Sequence, residues 1–431
     1  MRTKLIAAGL ALTLAACSAE RAPAPTPSST SLVATPVRPL AGTDAAPFDQ
    51  TRRLQAPPGW TVSVWARVPG ARLLAWTPDQ RLLVSRPGAG DVVALTPGAG
   101  DSAPAQKTLV AGLNQPHGLA FDGDTLYVAE SDQVDAFTYR NAALSGRQVV
   151  VGGLPDAKSA ELGGKYAHAL RSVAVGKDGA LYISIGSTGN ISADDRAAKP
   201  ERASILRSAG GRTTVFARGV RNGTGLAIAP DGAVWTAVNN RDNIAYPHEG
   251  DDQGKVELSY VNDHPLEPLA KLTPGRDLGW PYCNPDPDLQ PGDRDSPLSY
   301  TGRPFVRDFE TNPDGTLLDC AKLPPVEEGM GAHSAPLGLS FAAGVAGGYG
   351  DGALVGVHGS WNRRPPRPPE VLFFAWRGGG LGPQQTLLTG FQLDDGSRWG
   401  RPVMAVQGPD QAIYVSDDYA GAVYRLKPQA R

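Results

Sequence analysis

The chain has 431 residues and a formal net charge of −2. A charge so near balance gives no general pull toward nucleic acid, so no nucleic-acid partner is expected. With 52 Gly and 39 Pro against 19% charged residues the sequence is turn-rich, while 41% hydrophobic content suffices for a core.

In chain order the first element is a targeting segment. Arg2 and Lys4 precede an apolar run over 5–16 that is too short to cross a bilayer as a mature helix, so 1–16 reads as a signal peptide. It ends in Leu14-Ala15-Ala16-Cys17, which resembles a bacterial lipobox. Cleavage before Cys17 would leave its thiol for lipidation; the alternative is an ordinary secretory signal with an incidental cysteine. Ser18, rather than Asp, is similar to the outer-membrane-directed form of that signal. The expectation is a periplasm-facing lipoprotein, lipid-anchored to the outer membrane of a Gram-negative bacterium. Residues 17–50 are rich in Pro, Ser, Thr and Ala beyond Ala19 and are expected to form a disordered tether.

From residue 51 one pattern returns: apolar strand, Asp/Gly turn, apolar strand, polar end. It appears in "HGLAFDGDTLYVAESDQVDAF", "LRSVAVGKDGALYISIGS", "GLAIAPDGAVWTAVNN" and "RPVMAVQGPDQAIYVSDDYAGAVYRL", with two further units at 74–95 and 336–362. Alternating β-branched and aromatic residues around Asp/Gly turns are a hairpin signal. Six units at intervals of about 45–60 residues predict an all-β, six-bladed β-propeller over 51–431. The strand "GWTVSVWA" (59–66) has no hairpin partner nearby and is expected to complete the last blade and close the ring. The wide gap near 245–330 reads as an insertion on one face. It carries Cys283 and Cys320, which in an exported chain favour a disulfide over a metal pair, two free buried thiols being the alternative. A bridge would close a loop of almost forty residues, worth about 4 kcal/mol in the chain-entropy model.

Small-molecule sites of propellers lie where inner strands converge on the channel, so polar residues at repeat ends are the candidates. They are His168 and Arg171 in "YAHALRSVAV", Arg218, Arg221 and Asn222 in "ARGVRNGTGL", "VNNRDN" at 238–243, and His358 to Arg363 in "HGSWNR" with Arg398 and Arg401. Together with "LGWPYC" and "GRPVMAV", these motifs resemble the soluble quinoprotein sugar dehydrogenases, the glucose/sorbosone dehydrogenase family, and within it the sorbosone dehydrogenase-like branch.

That resemblance implies pyrroloquinoline quinone (PQQ) as cofactor and an aldose or sorbosone-type sugar as substrate. PQQ is a planar tricarboxylate, and arginine meets carboxylates with a fork of donors. The resemblance assigns cofactor contacts to Arg221, Asn222, Arg363 and Arg401, and places Gln115 and His358 near the cofactor. His168 matches the family's catalytic histidine, which takes the substrate proton while the quinone takes the hydride. Arg401 faces the reacting end. In relatives calcium polarises the quinone, held largely by backbone carbonyls; the corresponding loop here contains Asn240, Arg241 and Asp242. Electrons would then pass to a membrane-side quinone or cytochrome. Two rivals remain: a calcium-dependent lactonase-type hydrolase, which the arginine-rich channel end disfavours, and a non-catalytic envelope propeller displaying a binding surface.

Overall fold

Strands at the closure alternate in burial, as in Trp60–Arg67, where Trp60, Val62 and Val64 are buried and Thr61 and Ser63 less so, while strands such as Leu181–Ile185 and Ile413–Asp417 are buried along their whole length. In the computed structural model, which describes residues 31–285 and 300–429, these strands form an all-β propeller with almost no helix. The signal segment and Cys17 lie outside the described residues.

Four separate sheets begin at Leu74–Trp76, Gly118–Asp122, Val173–Val175 and Gly225–Ile228, antiparallel except where Arg212–Arg218 pairs parallel with Arg276–Asp277 in the third. The remaining strands do not form two more independent sheets. Pro336–Val345 through Gly380–Thr389 share one ten-stranded sheet with the three strands that run from Pro402–Gln407 to Ala422–Pro428. The link is β1 (Val33–Pro39), antiparallel to β2 (Arg53–Ala56) and parallel to β3 (Trp60–Arg67), with Gln55 of β2 pairing to Thr389. β3 in turn pairs antiparallel with Ala422–Pro428, so the N-terminal strand closes on the C-terminal one.

The expected tether over 17–50 therefore does not extend through 33–50. Val37 and Phe48 are buried, and the Phe48 ring stands edge-on to Trp399 at 6.1 Å and Tyr424 at 5.9 Å. These apolar residues are too sparse among Pro and Thr to give a local period; tertiary burial alone orders them. The expected insertion also has different bounds. Glu267–Leu272 and Glu328–Met330 are strands of the fourth sheet, so the chain leaves it twice, over 238–266 and over the stretch 273–327. Within that stretch Cys283 and Cys320 are joined by a disulfide.

At the centre the inner strands approach so closely that a Cβ on Gly118 would sit 2.6 Å from the Val173 nitrogen, and one on Gly338 2.5 Å from Met404 Cβ. This draws the starts of the inner strands, and the ends of the strands paired with them, toward one shared mouth.

Candidate functional site

A cavity of about 310 Å³ opens at that mouth. His168, Arg221, Asp242, His358 and Arg401 line it, and so do Asn239, Glu267, His333, Trp361, Asn362 and Arg398, drawn from four successive repeats.

His168 precedes the strand Val173–Val175 and is held from behind. Its Nδ1 lies 3.1 Å from the Ser187 carbonyl and 2.9 Å from Ser187 Oγ, whose own proton goes to Gly189 O at 2.7 Å. With acceptors on that side, Nδ1 carries the proton and Nε2 keeps a lone pair. Burial, and then the Arg221 charge, push its pKa down to about 3, so the imidazole is neutral at pH 7. Gly186 packs beneath it: a Cβ there would come within 2.5 Å of His168 Cβ. Arg171, fully buried, donates to the His168 carbonyl at 3.1 Å and fixes the backbone.

The stretch His358-Gly359-Ser360-Trp361 forms the opposite wall. His358 Nδ1 accepts from Arg401 Nη2 at 2.6 Å, while Nε2 faces Asp418 Oδ1 at 3.3 Å. Only Nδ1 has a hydrogen-bond partner among the described residues, Nε2 facing Asp418 without hydrogen-bond geometry; desolvation lowers the His358 pKa to about 4 against the pull of Asp418, and the ring is neutral. Asp418 also accepts from Arg72 at 2.7 Å, and Arg72 Nε points at His117 Nε2 at 3.4 Å. Arg401 is thus oriented through an imidazole, and its Nε is buried without a hydrogen-bond partner among the described residues. Trp361 is 70% exposed at the rim.

Between the two walls, Arg221 donates to the Asn190 carbonyl (3.1 Å) and side chain (3.2 Å) and to Asn239 O (3.0 Å). Asp242 takes His333 Nδ1 at 3.1 Å, and His333 Nε2 meets Val261 O at 2.6 Å. Acceptors at both nitrogens favour the imidazolium: burial opposes the charge, yet Asp242, Val261 O and Glu267 raise the His333 pKa. Burial pushes Glu267 up to about 7, although it accepts the Asn240 N–H. Asn222 is buried beside His168, with its Oδ1 unpartnered among the described residues.

Several expected site residues stand elsewhere. Arg363 spends its donors on Asn262 O (3.1 Å), Pro365 O (2.8 Å) and Asp263 (2.9 Å), and does not line the cavity. Gln115 is exposed in a left-handed turn (φ 53°) outside it. Arg241 turns away into a buried pair with Asp308 and reaches Glu310 at 2.7 Å. Asn240 donates to Leu266 O at 3.1 Å. Of the proposed calcium loop only Asp242 faces the cavity. Among the described residues no three His, Cys, Asp or Glu side chains converge as a metal site. The sequence reading missed Arg72, Asp418, His333 and Glu267 as pocket-building groups. Asp418, in "VSDDY", has the signature of the others, a polar residue at a repeat end; His333 had none, because it lies beyond the irregular excursion.

Fold and site together define an all-β propeller with a cation-lined cavity at the convergence of its inner strands. The chain belongs to the TrAA12-like family, whose model matches residues 54–429. Among solved structures it is similar to the holo form of the pyranose dehydrogenase PQQ domain from Coprinopsis cinerea (21% identity, 87% of this chain and 97% of that one, TM-score 0.70). It is also similar to the calcium structure of the Carbohydrate-Active Enzymes family AA12 protein from Trichoderma reesei (22%, 87% and 97%, TM-score 0.71). The PQQ-bound aldose sugar dehydrogenase from Streptomyces coelicolor shares the fold at greater distance (14%, 86% and 99%, TM-score 0.51). A curated relative, an uncharacterized protein of Borreliella burgdorferi, is 24% identical over 258 residues, and the match spans 58% of each chain.

Proposed function

We propose that the chain is a PQQ-dependent sugar dehydrogenase, oxidising the C1–OH of an aldose to the lactone or the hydrated aldehyde of a sorbosone-type sugar to the acid. One observation carries the reading: a neutral histidine with an unclaimed Nε2 stands in a cavity walled by guanidinium groups. Membership of the TrAA12-like family and the likeness to PQQ-binding sugar dehydrogenases support it.

The donor set fits a flat tricarboxylate. Arg401 has a buried unpartnered Nε, and Arg221 and His333 add positive charge. Arg401 and Arg221 would hold the cofactor, and Trp361 adds an aromatic surface at the rim, while Asn222, buried beside His168, does not line the cavity. PQQ, when bound, supplies the two-electron acceptor for the hydride leaving the sugar carbon. His168 Nε2 receives the proton of the hydroxyl being oxidised, a role open to it and closed to His358, whose single lone pair, on Nδ1, is taken by Arg401. Ser187 keeps the His168 tautomer that makes this possible, and His358 keeps Arg401 in place.

In the same reading the ten-stranded sheet counts as two blades bridged by β1 and β2, making six. Lipidation at Cys17 would hold the enzyme on the outer membrane facing the periplasm, near a membrane-side quinone or cytochrome that accepts the electrons. The test is a titration of metal-stripped protein with PQQ, with and without calcium, followed by quinone absorbance. Aldoses and sorbosone are then added with a dye acceptor. Sugar-driven dye reduction that disappears in His168→Ala, with PQQ affinity retained, is expected. Absence of PQQ binding refutes the reading.

A further inference from the structure

One carboxylate in the cavity wall has no task in this chemistry. Asp242 is held on every side but one. Its N–H donates to Asn190 Oδ1 at 2.8 Å, and its carbonyl accepts from Asn190 Nδ2 at 3.0 Å. Its Oδ1 accepts from both His333 Nδ1 and Asn362 Nδ2, each at 3.1 Å. His333 is pinned in turn by Val261 O at 2.6 Å. Oδ2 accepts no hydrogen bond from any described residue; the nearest cation is Arg221 Nη2 at 4.0 Å. The side chain is 22% exposed, and that exposure is into the cavity.

A metal ion is a poor occupant for this oxygen. Arg221 and His333 already flank the carboxylate, Arg241 points to Asp308, and the Asn240 amide is committed to Leu266. A second anion is excluded by charge. The remaining chemistry is a neutral O–H donor, because a rigid carboxylate oxygen with free lone pairs is among the stronger acceptors a hydroxyl can find.

We propose that Asp242 Oδ2 accepts a hydrogen bond from a ring hydroxyl of the sugar other than the one oxidised, so that this residue selects substrate instead of ligating a cation. The inference rests on the dehydrogenase reading and adds a substrate class to it. The substrate is a neutral polyhydroxylated sugar carrying that hydroxyl, and a sugar acid with its carboxylate at that position is rejected.

Asp242→Asn is a sharp test. His333 and Asn362 both donate to Oδ1, so the amide keeps its carbonyl on them and turns its NH₂ into the cavity, replacing an acceptor with a donor. Full-length wild type and variant are loaded with PQQ, and kcat/KM is measured for one aldose and its monodeoxy analogues. PQQ affinity is followed by absorbance in parallel, with and without a calcium chelator. In wild type one deoxy analogue should lose about 10–100-fold, the range expected for a hydrogen bond to a charged group. In Asp242→Asn the parent sugar should lose most of that factor and that analogue nothing more, with PQQ binding not weakened and its response to chelator unchanged. Equal discrimination among the analogues in both proteins overturns the assignment. So does a loss of calcium-dependent PQQ binding in the variant, which would make Asp242 a cation ligand. Should Asp242→Asn not fold, Asn362→Ala removes one donor to Oδ1, and a several-fold rise in sugar KM at constant kcat is expected; an unchanged KM overturns the assignment. A wild type that binds no PQQ refutes the dehydrogenase reading itself, and this assignment falls with it.

Discussion

Gly359→Ala should damage the cavity wall out of proportion to one methyl group. Gly359 has φ +74°, where an L side chain costs about 1–2 kcal/mol. The added Cβ would also lie 2.5 Å from Arg367 O, 2.8 Å from Pro369 N and 2.9 Å from the Pro368 carbonyl carbon, all of them backbone. Relief requires Arg367 O to move, yet that oxygen accepts from Ser360 N at 3.1 Å and from Arg398 Nη2 at 3.2 Å. Losing the first costs about 1 kcal/mol and weakening the second, charged one about 1–2 more. Partial relaxation of the proline-rich loop brings the sum to about 3 kcal/mol. For about 400 ordered residues at ~2.1 cal/mol/K each, that is a fall in Tm of about 3–4 °C. His358 precedes this glycine, so the displacement should also loosen Arg401 and weaken PQQ binding at least tenfold. Urea denaturation and the PQQ titration on one preparation read both effects. A variant within 0.5 kcal/mol of wild type and with unchanged PQQ affinity would show that the loop does not hold the wall as argued.

Arg241→Ala leaves Asp308 buried without its cation and should cost about 3–5 kcal/mol in urea melts; PQQ affinity of the folded protein should not change, because Arg241 faces away from the cavity. Asp418→Asn breaks the pair with Arg72 and weakens the hold on His358, so stability should fall by about 3 kcal/mol and PQQ affinity should fall with it. Imidazole ¹⁵N spectra should show His168 protonated on Nδ1 and His358 on Nε2, both neutral between pH 8 and 5, with the His333 midpoint raised above the ordinary histidine value. The sign follows from the depressed values of about 3 and about 4 for His168 and His358. The stability each neutral ring contributes is complete above the ordinary histidine range near 6.5 and is lost as pH falls toward its folded value. A midpoint near 6.5 for either ring would contradict its burial and contacts.

How much of this was legible in the sequence differs element by element. The hairpins were, because "PDGAVW" and "KDGALY" put a turn between two apolar runs of period two, a signal that needs no tertiary context. The partner of β3 was inferable because a lone strand must pair somewhere. β1 was hidden: Val37 and Phe48 lie among prolines and threonines, and only contact with Trp399 and Tyr424 gives their apolar surface a place to go. Glu267–Leu272 was hidden for a related reason, a proline-flanked strand separated by more than fifty residues from Glu328–Met330 beside it.

The arginines show where reading by residue type stops. Arg221, Arg363 and Arg401 were read as cofactor contacts and Arg241 as part of the calcium loop, and type and position at a repeat end could not separate them. What separates them is how many donors each has already committed. Arg363 and Arg398 spend theirs on backbone oxygens and serve as staples for the loops around the cavity. Arg241 is neutralised by Asp308 and Glu310. Arg401 alone among them is held through a neutral imidazole, which takes one N–H and removes none of the positive charge. An anion entering the cavity therefore meets an uncompensated cation at Arg401, beside Arg221, whose donors already go to Asn190 and Asn239.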